Sequence, residues 1–210
     1  MNLAEALAPH GLEVLGTLAP TPEDALPEGT ATLALIGPNG RAFWHIFTAS
    51  PEYGDGDADP LNRWSTRILE SIAAAHGAQA LFPFGGPPWH PFIAWALRTG
   101  QCHQSPVGLL VHNRHGLFVS FRGALALPES VSLPPATRPC DECGQPCRTT
   151  CPVGALTAEG YDVPACKAHV TSPEGAACRS GCLVRRACPV GPHLRLPEQS
   201  AFHMQAFLGE

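Results

Sequence analysis

The chain has 210 residues, with nine Cys, 21 Gly, 23 Pro and a formal charge of −5. A hydrophobic content of 44% excludes a largely disordered chain. The acidic balance, with one Lys (Lys167) against twelve Arg, leaves no electrostatic footprint for nucleic acid or for an anionic membrane surface.

No run of about 18 apolar residues occurs, so no membrane partner is expected. The first residues, MNLAEALAPHGLEVLG, lack a basic stretch followed by a long apolar one. A cytoplasmic, reducing compartment is therefore expected, where cysteines are expected as ligands rather than as disulfides.

In chain order, residues 3–9 predict a short helix, followed by an apolar run at 12–18. Residues 31–36 and 42–47 read as two strands around Gly37-Pro38-Asn39-Gly40, with Asn-Gly as a hairpin turn. Residues 60–76 form the best helix. Asp59 suits its N-cap, Pro60 its first turn and Gly77 its end. Leu61, Trp64, Ile68, Leu69, Ile72 and Ala75 follow helical spacing.

A strand at 80–84 is expected to run into a plain turn at Gly85-Gly86-Pro87-Pro88, which matches neither phosphate-binding pattern. A helix at 91–98 and strands at 107–112 and 117–121 follow, the strands joined by a turn at 113–116. His10, His45, His76, His90, His103, His112 and His115 show no metal spacing. Trp44, Trp64, Trp89 and Trp95 read as core, and Cys102 as a small buried residue. The region 1–127 is therefore an α+β domain of sandwich-like α/β build. Pro128, Pro134, Pro135 and Pro139 mark 128–139 as a linker.

The other eight cysteines lie between Cys140 and Cys188. Even scatter would place roughly two there. The first run is Cys140-Asp-Glu-Cys143-Gly-Gln-Pro-Cys147-Arg-Thr-Thr-Cys151-Pro152, a C-x2-C-x3-C-x3-C-P pattern. It has one residue more than the bacterial ferredoxin spacing C-x2-C-x2-C-x3-C-P. Cys166 stands alone, and Cys178-Arg-Ser-Gly-Cys182 leads on to Cys188-Pro189. Both sets end in the peptide Cys-Pro-Val-Gly (151–154 and 188–191), a weak internal repeat.

Four thiolates in one short run suit an iron-sulfur cubane, which needs four soft ligands around a compact core. Two zinc sites of four cysteines each remain open, although these usually draw on separated C-x2-C pairs. Residues 140–192 thus read as a small ferredoxin-like domain with two [4Fe-4S] clusters. Residues 193–210 read as a C-terminal tail whose helix packs through Phe202, Ala206 and Phe207, with His203 and Met204 as packing residues.

The order of these cysteines resembles that of the epoxyqueuosine reductase family, with Tyr161-Asp-Val-Pro-Ala-Cys166 where that family has its lone cysteine. Trp95-Ala-Leu-Arg-Thr-Gly100, the segment 105–110 and the segment 117–124 are similar to the stretch that precedes the clusters there. The resemblance covers about residues 80–192. It implies two [4Fe-4S] clusters beside a corrinoid-binding domain, and interleaved ligands: Cys140, Cys143, Cys147 and Cys188 for cluster I, and Cys151, Cys166, Cys178 and Cys182 for cluster II. The sequence departs from the family at Phe84-Gly-Gly-Pro-Pro-Trp-His-Pro-Phe92, where the catalytic Asp is missing, and it is too short for the C-terminal repeats.

The leading expectation is an electron-transfer protein that serves a redox partner protein, with Asp141 and Glu142 as solvated carboxylates or as a guide for a basic partner. The alternatives are a cobalamin- or flavin-dependent oxidoreductase fed by the clusters, and a zinc-stabilised interaction module.

Overall fold

The computed structural model describes residues 2–134, 136–194 and 196–209. Pro135, one of the prolines of the expected linker, lies outside them. The strands are β1 (Leu12–Leu18), β2 (Thr32–Pro38), β3 (Gln79–Leu81), β4 (Cys102–Gln104), β5 (Leu110–His112) and β6 (Gly123–Leu127). The helices are α1 (Leu3–Leu7), α2 (Gly40–Thr48), α3 (Pro51–Gly54), α4 (Pro60–Ala75), α5 (Phe92–Arg98), α6 (Val163–Thr171), α7 (Ala176–Arg179), α8 (Leu183–Arg186) and α9 (Pro197–Leu208). The chain is of mixed α+β class. It divides into two compact units, Met1–Gln101 with Ser120–Ala136, and Cys102–Val119 with Thr137–Glu210.

The first unit is built on an antiparallel sheet in the order β1-β2-β6-β3. The apolar run at 12–18 is its first strand. Leu33, Leu35 and Ile36 of β2 and Leu125 and Leu127 of β6 are wholly buried, as central strands require. Helix α4 packs on β6 at Gly123, where a Cβ would stand 2.5 Å from Leu69 Cδ1. Leu61, Trp64, Ile68, Leu69 and Ile72 form its buried face, as their spacing predicted, whereas Ala75, expected on the same face, is exposed at the helix end. Asp59 occupies the N-cap position in the left-handed region (φ 53°), but its side chain makes no capping bond.

The second strand of the expected hairpin, 42–47, is instead part of helix α2. Asn39 is the residue before that helix, not a hairpin corner. The reason is the spacing of Phe43, Trp44 and Phe47, which share a helical face and are buried. Phe43 and Phe47 meet the Trp64 ring edge-on at centroid distances of 5.4 and 5.9 Å. Gly11 (φ 63°) lets the chain pass this helix, since a Cβ there would lie 2.5 Å from Phe43 Cα.

Trp64 and Trp95 are fully buried and Trp44 nearly so, but Trp89 is 64% exposed and is not core. The expected strand at 80–84 contributes only its first residues, in β3. No strand forms at 117–121; the strand lies later, at β6, where it pairs with both β2 and β3. The proline-rich stretch is pinned to this unit. Val131 and Leu133 donate backbone N–H bonds to the Thr32 and Thr17 hydroxyls, and Gln101 bonds the Pro134 carbonyl.

The second unit opens with a short hairpin, β4 against β5, in which Cys102 pairs with His112. Cys102 is 2% exposed, and burial pushes its thiol up to about 12, as expected of an inert core residue. The remaining elements are short helices and turns around a core of Val107, Val111, Leu117, Leu156 and Val184 together with Cys147 and Cys188. In α9 the buried residues are Gln199 and Ser200; of the expected packing residues Phe202 and Phe207 are half-buried, with the Phe207 ring stacked on Tyr161 at 6.3 Å, while Ala206 is exposed. Ser200 fits against Gly181, where a Cβ would stand 2.9 Å from Ser200 Cβ. No described helix is long and apolar enough to cross a membrane.

Candidate metal centre

The first cysteine run is a series of tight turns. The Cys143 N–H donates to the Cys140 carbonyl (3.4 Å), and Gln145, in the left-handed region at φ 53°, turns the chain into a single 3-10 turn at Pro146–Arg148 that carries Cys147. The Gln145 backbone N–H donates to Cys143 Sγ at 3.3 Å. The Ala155 N–H likewise donates to Cys151 Sγ at 3.2 Å. N–H groups aimed at sulfur stabilise a thiolate over a thiol.

Cys188 arrives from 37 residues beyond Cys151. It joins the first run in one cleft, where Cys140, Cys143, Cys147 and Cys188 are walled by Val111, Leu117 and the 105–106 segment. Gly116 makes this approach possible. At φ 55°, a Cβ there would lie 2.1 Å from the Val190 carbonyl oxygen and 2.9 Å from Cys188 Sγ. Gly191 (φ 66°) makes the reciprocal approach to the Arg114 carbonyl at 2.6 Å. The segment 112–116 is thereby locked against 188–191. Its inner face is fixed by His112, whose Nδ1 accepts the Arg114 and His115 backbone N–H groups.

The other four cysteines come from four places. Cys151 follows the 3-10 turn. Cys166 sits in helix α6, whose start is capped by the Asp162 carboxylate accepting the Ala165 N–H at 2.9 Å. Cys178 lies in α7 and is buried, and Cys182 stands at the N-cap of α8. Gly175 brings α7 close to the end of α6; a Cβ there would fall 1.9 Å from the His169 carbonyl.

The electrostatic neighbours sort the thiols into two sets. Burial pushes the Cys140 thiol up, Arg138 opposes it, and Cys143, Cys147 and Cys188 add to the rise. Burial raises Cys147 as well, followed by Cys188 and Cys143. Cys178 is raised by burial, relieved by the Leu183 N–H, and raised again by Cys182, Cys166 and Cys151. Each set thus draws one member from beyond its own run, Cys188 in the first and Cys151 in the second.

All nine cysteines are free thiols. Among the described residues no three His, Cys, Asp or Glu side chains converge tightly enough to hold a single metal ion. Eight soft sulfur donors in two sets of four, half-buried or buried and partly met by backbone N–H groups, form a donor set that fits two cubanes.

Three features of this region were not read from the sequence: Gly116, the cleft wall from 105–117, and a half-buried Arg185 beside Cys182. The guanidinium of Arg185 donates to the Leu117 carbonyl at 2.6 Å. Its spacing, three residues after Cys182 and three before Cys188, was the available signal. His10, His45, His76, His90 and His103 belong to neither set. No family model, curated protein or solved structure matches the chain.

Proposed function

We propose that the chain is an iron-sulfur electron-transfer protein whose second unit is a ferredoxin-type module for two [4Fe-4S] clusters. The observation that carries this reading is the gathering of Cys188 with Cys140, Cys143 and Cys147 around one cleft. Cys151, Cys166, Cys178 and Cys182 would hold the second cluster.

When bound, each cubane supplies a site that takes up and releases one electron. The residues around the cleft provide the rest. Val111 and Leu117 wall it with apolar surface, which lowers the local dielectric. The N–H groups of Gln145 and Ala155 spread charge from their sulfurs. The exposed Asp141 and Glu142 leave the loop beside the first cleft open to a basic redox partner.

Full-length protein reconstituted without oxygen, followed by EPR during reductive titration, tests the reading. Two one-electron steps are expected. Cys188→Ser should alter the same step as Cys140→Ser and leave the other intact. If Cys188→Ser alters instead the step that Cys182→Ser alters, the partition is wrong.

A further inference from the structure

The two thiol sets differ in what lies over them. Cys140, Cys143, Cys147 and Cys188 line the cleft walled by Val111 and Leu117, and no residue of α9 takes part in that lining. Asp141, Glu142 and Gly144, in the loop that carries the first of these cysteines, are exposed. The first set is therefore open on its loop side.

Helix α9 lies along the second set instead. Near its start, Ser200 is buried against Gly181, the residue before Cys182, where a Cβ would stand 2.9 Å from Ser200 Cβ. Gly181 has φ 127°, so both space and backbone keep a side chain out of this contact. The helix packs on α7, which carries Cys178. Near its end, the Phe207 ring stacks on Tyr161 at 6.3 Å with 18° between the planes. Lys167, the residue after Cys166, places its Nζ 5.2 Å from the centre of the same ring. From Ser200 to Phe207 the helix rises about 10 Å. Over that length it touches the carrier helix of Cys178 and the neighbours of Cys182 and Cys166.

We propose that α9 is a cover over Cys151, Cys166, Cys178 and Cys182, seated at Ser200 and latched at Phe207, which shields the second cluster from reagents in solution and leaves the first as the exposed one. The inference rests on the cluster reading above. The seat is a buried close contact, whereas the latch is a ring stack and a cation–π pair near the surface. Release of the latch is a local opening, and weakening it raises the open population without unfolding the chain.

The test exposes the anaerobically reconstituted full chain to ferricyanide and EDTA and follows the loss of iron and of visible absorbance. Ferricyanide oxidises the clusters and EDTA takes up the iron. Two phases of similar amplitude are expected, the fast one missing in Cys140→Ser and the slow one missing in Cys182→Ser. Phe207→Ala should speed the slow phase roughly five- to tenfold, the effect of losing one stack and one cation–π contact, and leave the fast phase unchanged. Phe207→Tyr should keep the slow phase slow. A slow phase that Phe207→Ala does not move overturns the inference, as does a fast phase that belongs to Cys182→Ser. If Phe207→Ala does not fold, Lys167→Ala is read in the same way, and an unmoved slow phase again overturns it. Two clusters that lose iron at one common rate overturn the cover alone. Protein without iron and sulfide overturns the cluster reading itself, and this inference with it.

Discussion

Gly116 is the residue on which the seat of Cys188 depends most sharply. Its φ of 55° disfavours any side chain, and a Cβ would strike both the Val190 carbonyl and Cys188 Sγ. Gly116→Ala should therefore displace Cys188 and lower the iron content to about half, since only the second set keeps its four ligands. Iron analysis checks this, and full iron in Gly116→Ala would show that Cys188 is not a ligand of the first set. Cys102 provides the contrast. It is buried, its thiol is raised, and it belongs to neither set. Cys102→Ala should leave iron and sulfide unchanged.

Among the elements, α5 is fastened to the turn at Pro22–Asp24 by one carboxylate. Asp24 Oδ1 accepts from Trp95 Nε1 at 2.8 Å and from Arg98 Nη1 at 2.6 Å. The Arg98 guanidinium and these bonds, against the cost of burial, hold the Asp24 carboxyl at about 2 rather than 3.8. A depressed folded value means that the contribution is present above the unfolded value and is lost as pH falls from about 4 to about 2. Urea unfolding across that range should show Asp24→Asn less stable than the unsubstituted chain at pH 7, with the difference closing in acid. A difference that stays constant down to pH 2 would contradict the assignment. Helix α4 depends on apolar packing instead. Trp64→Ala should cost about 3–5 kcal/mol by denaturant unfolding, because the ring is 1% exposed and meets Phe43 and Phe47.

At the scale of the whole molecule, the sequence was most legible where local chemistry decides the outcome. Helix α4 and its buried face followed from periodicity. The cysteine runs stood out by density alone, and their interleaving was implied by a resemblance before the structure brought Cys188 to the first run. Non-local decisions were the ones missed. Asn39-Gly40 suits a hairpin corner or a helix start, and only the burial of Phe43 and Phe47 against Trp64 favours the helix. The strand β6 was overlooked because its Ala- and Leu-rich run has little β propensity; it is a strand because β2 and β3 flank it. The cleft wall from 105–117 carried no motif of its own, since apolar residues and one glycine look ordinary until Cys188 is set beside them.

The first unit carries none of the eight thiols. On the proposed electron-carrier reading, this unit binds neither group and should leave the spectra of cobalamin and of flavin unchanged on titration. A spectral change at stoichiometric cofactor would make the chain an oxidoreductase fed by its clusters.

The central claim, two cubanes on eight cysteines, is tested most directly by metal and acid-labile sulfide analysis of protein made and purified without oxygen. The account predicts about eight iron and eight sulfide per chain. About two zinc and no sulfide would contradict it and would leave a zinc-stabilised module in its place.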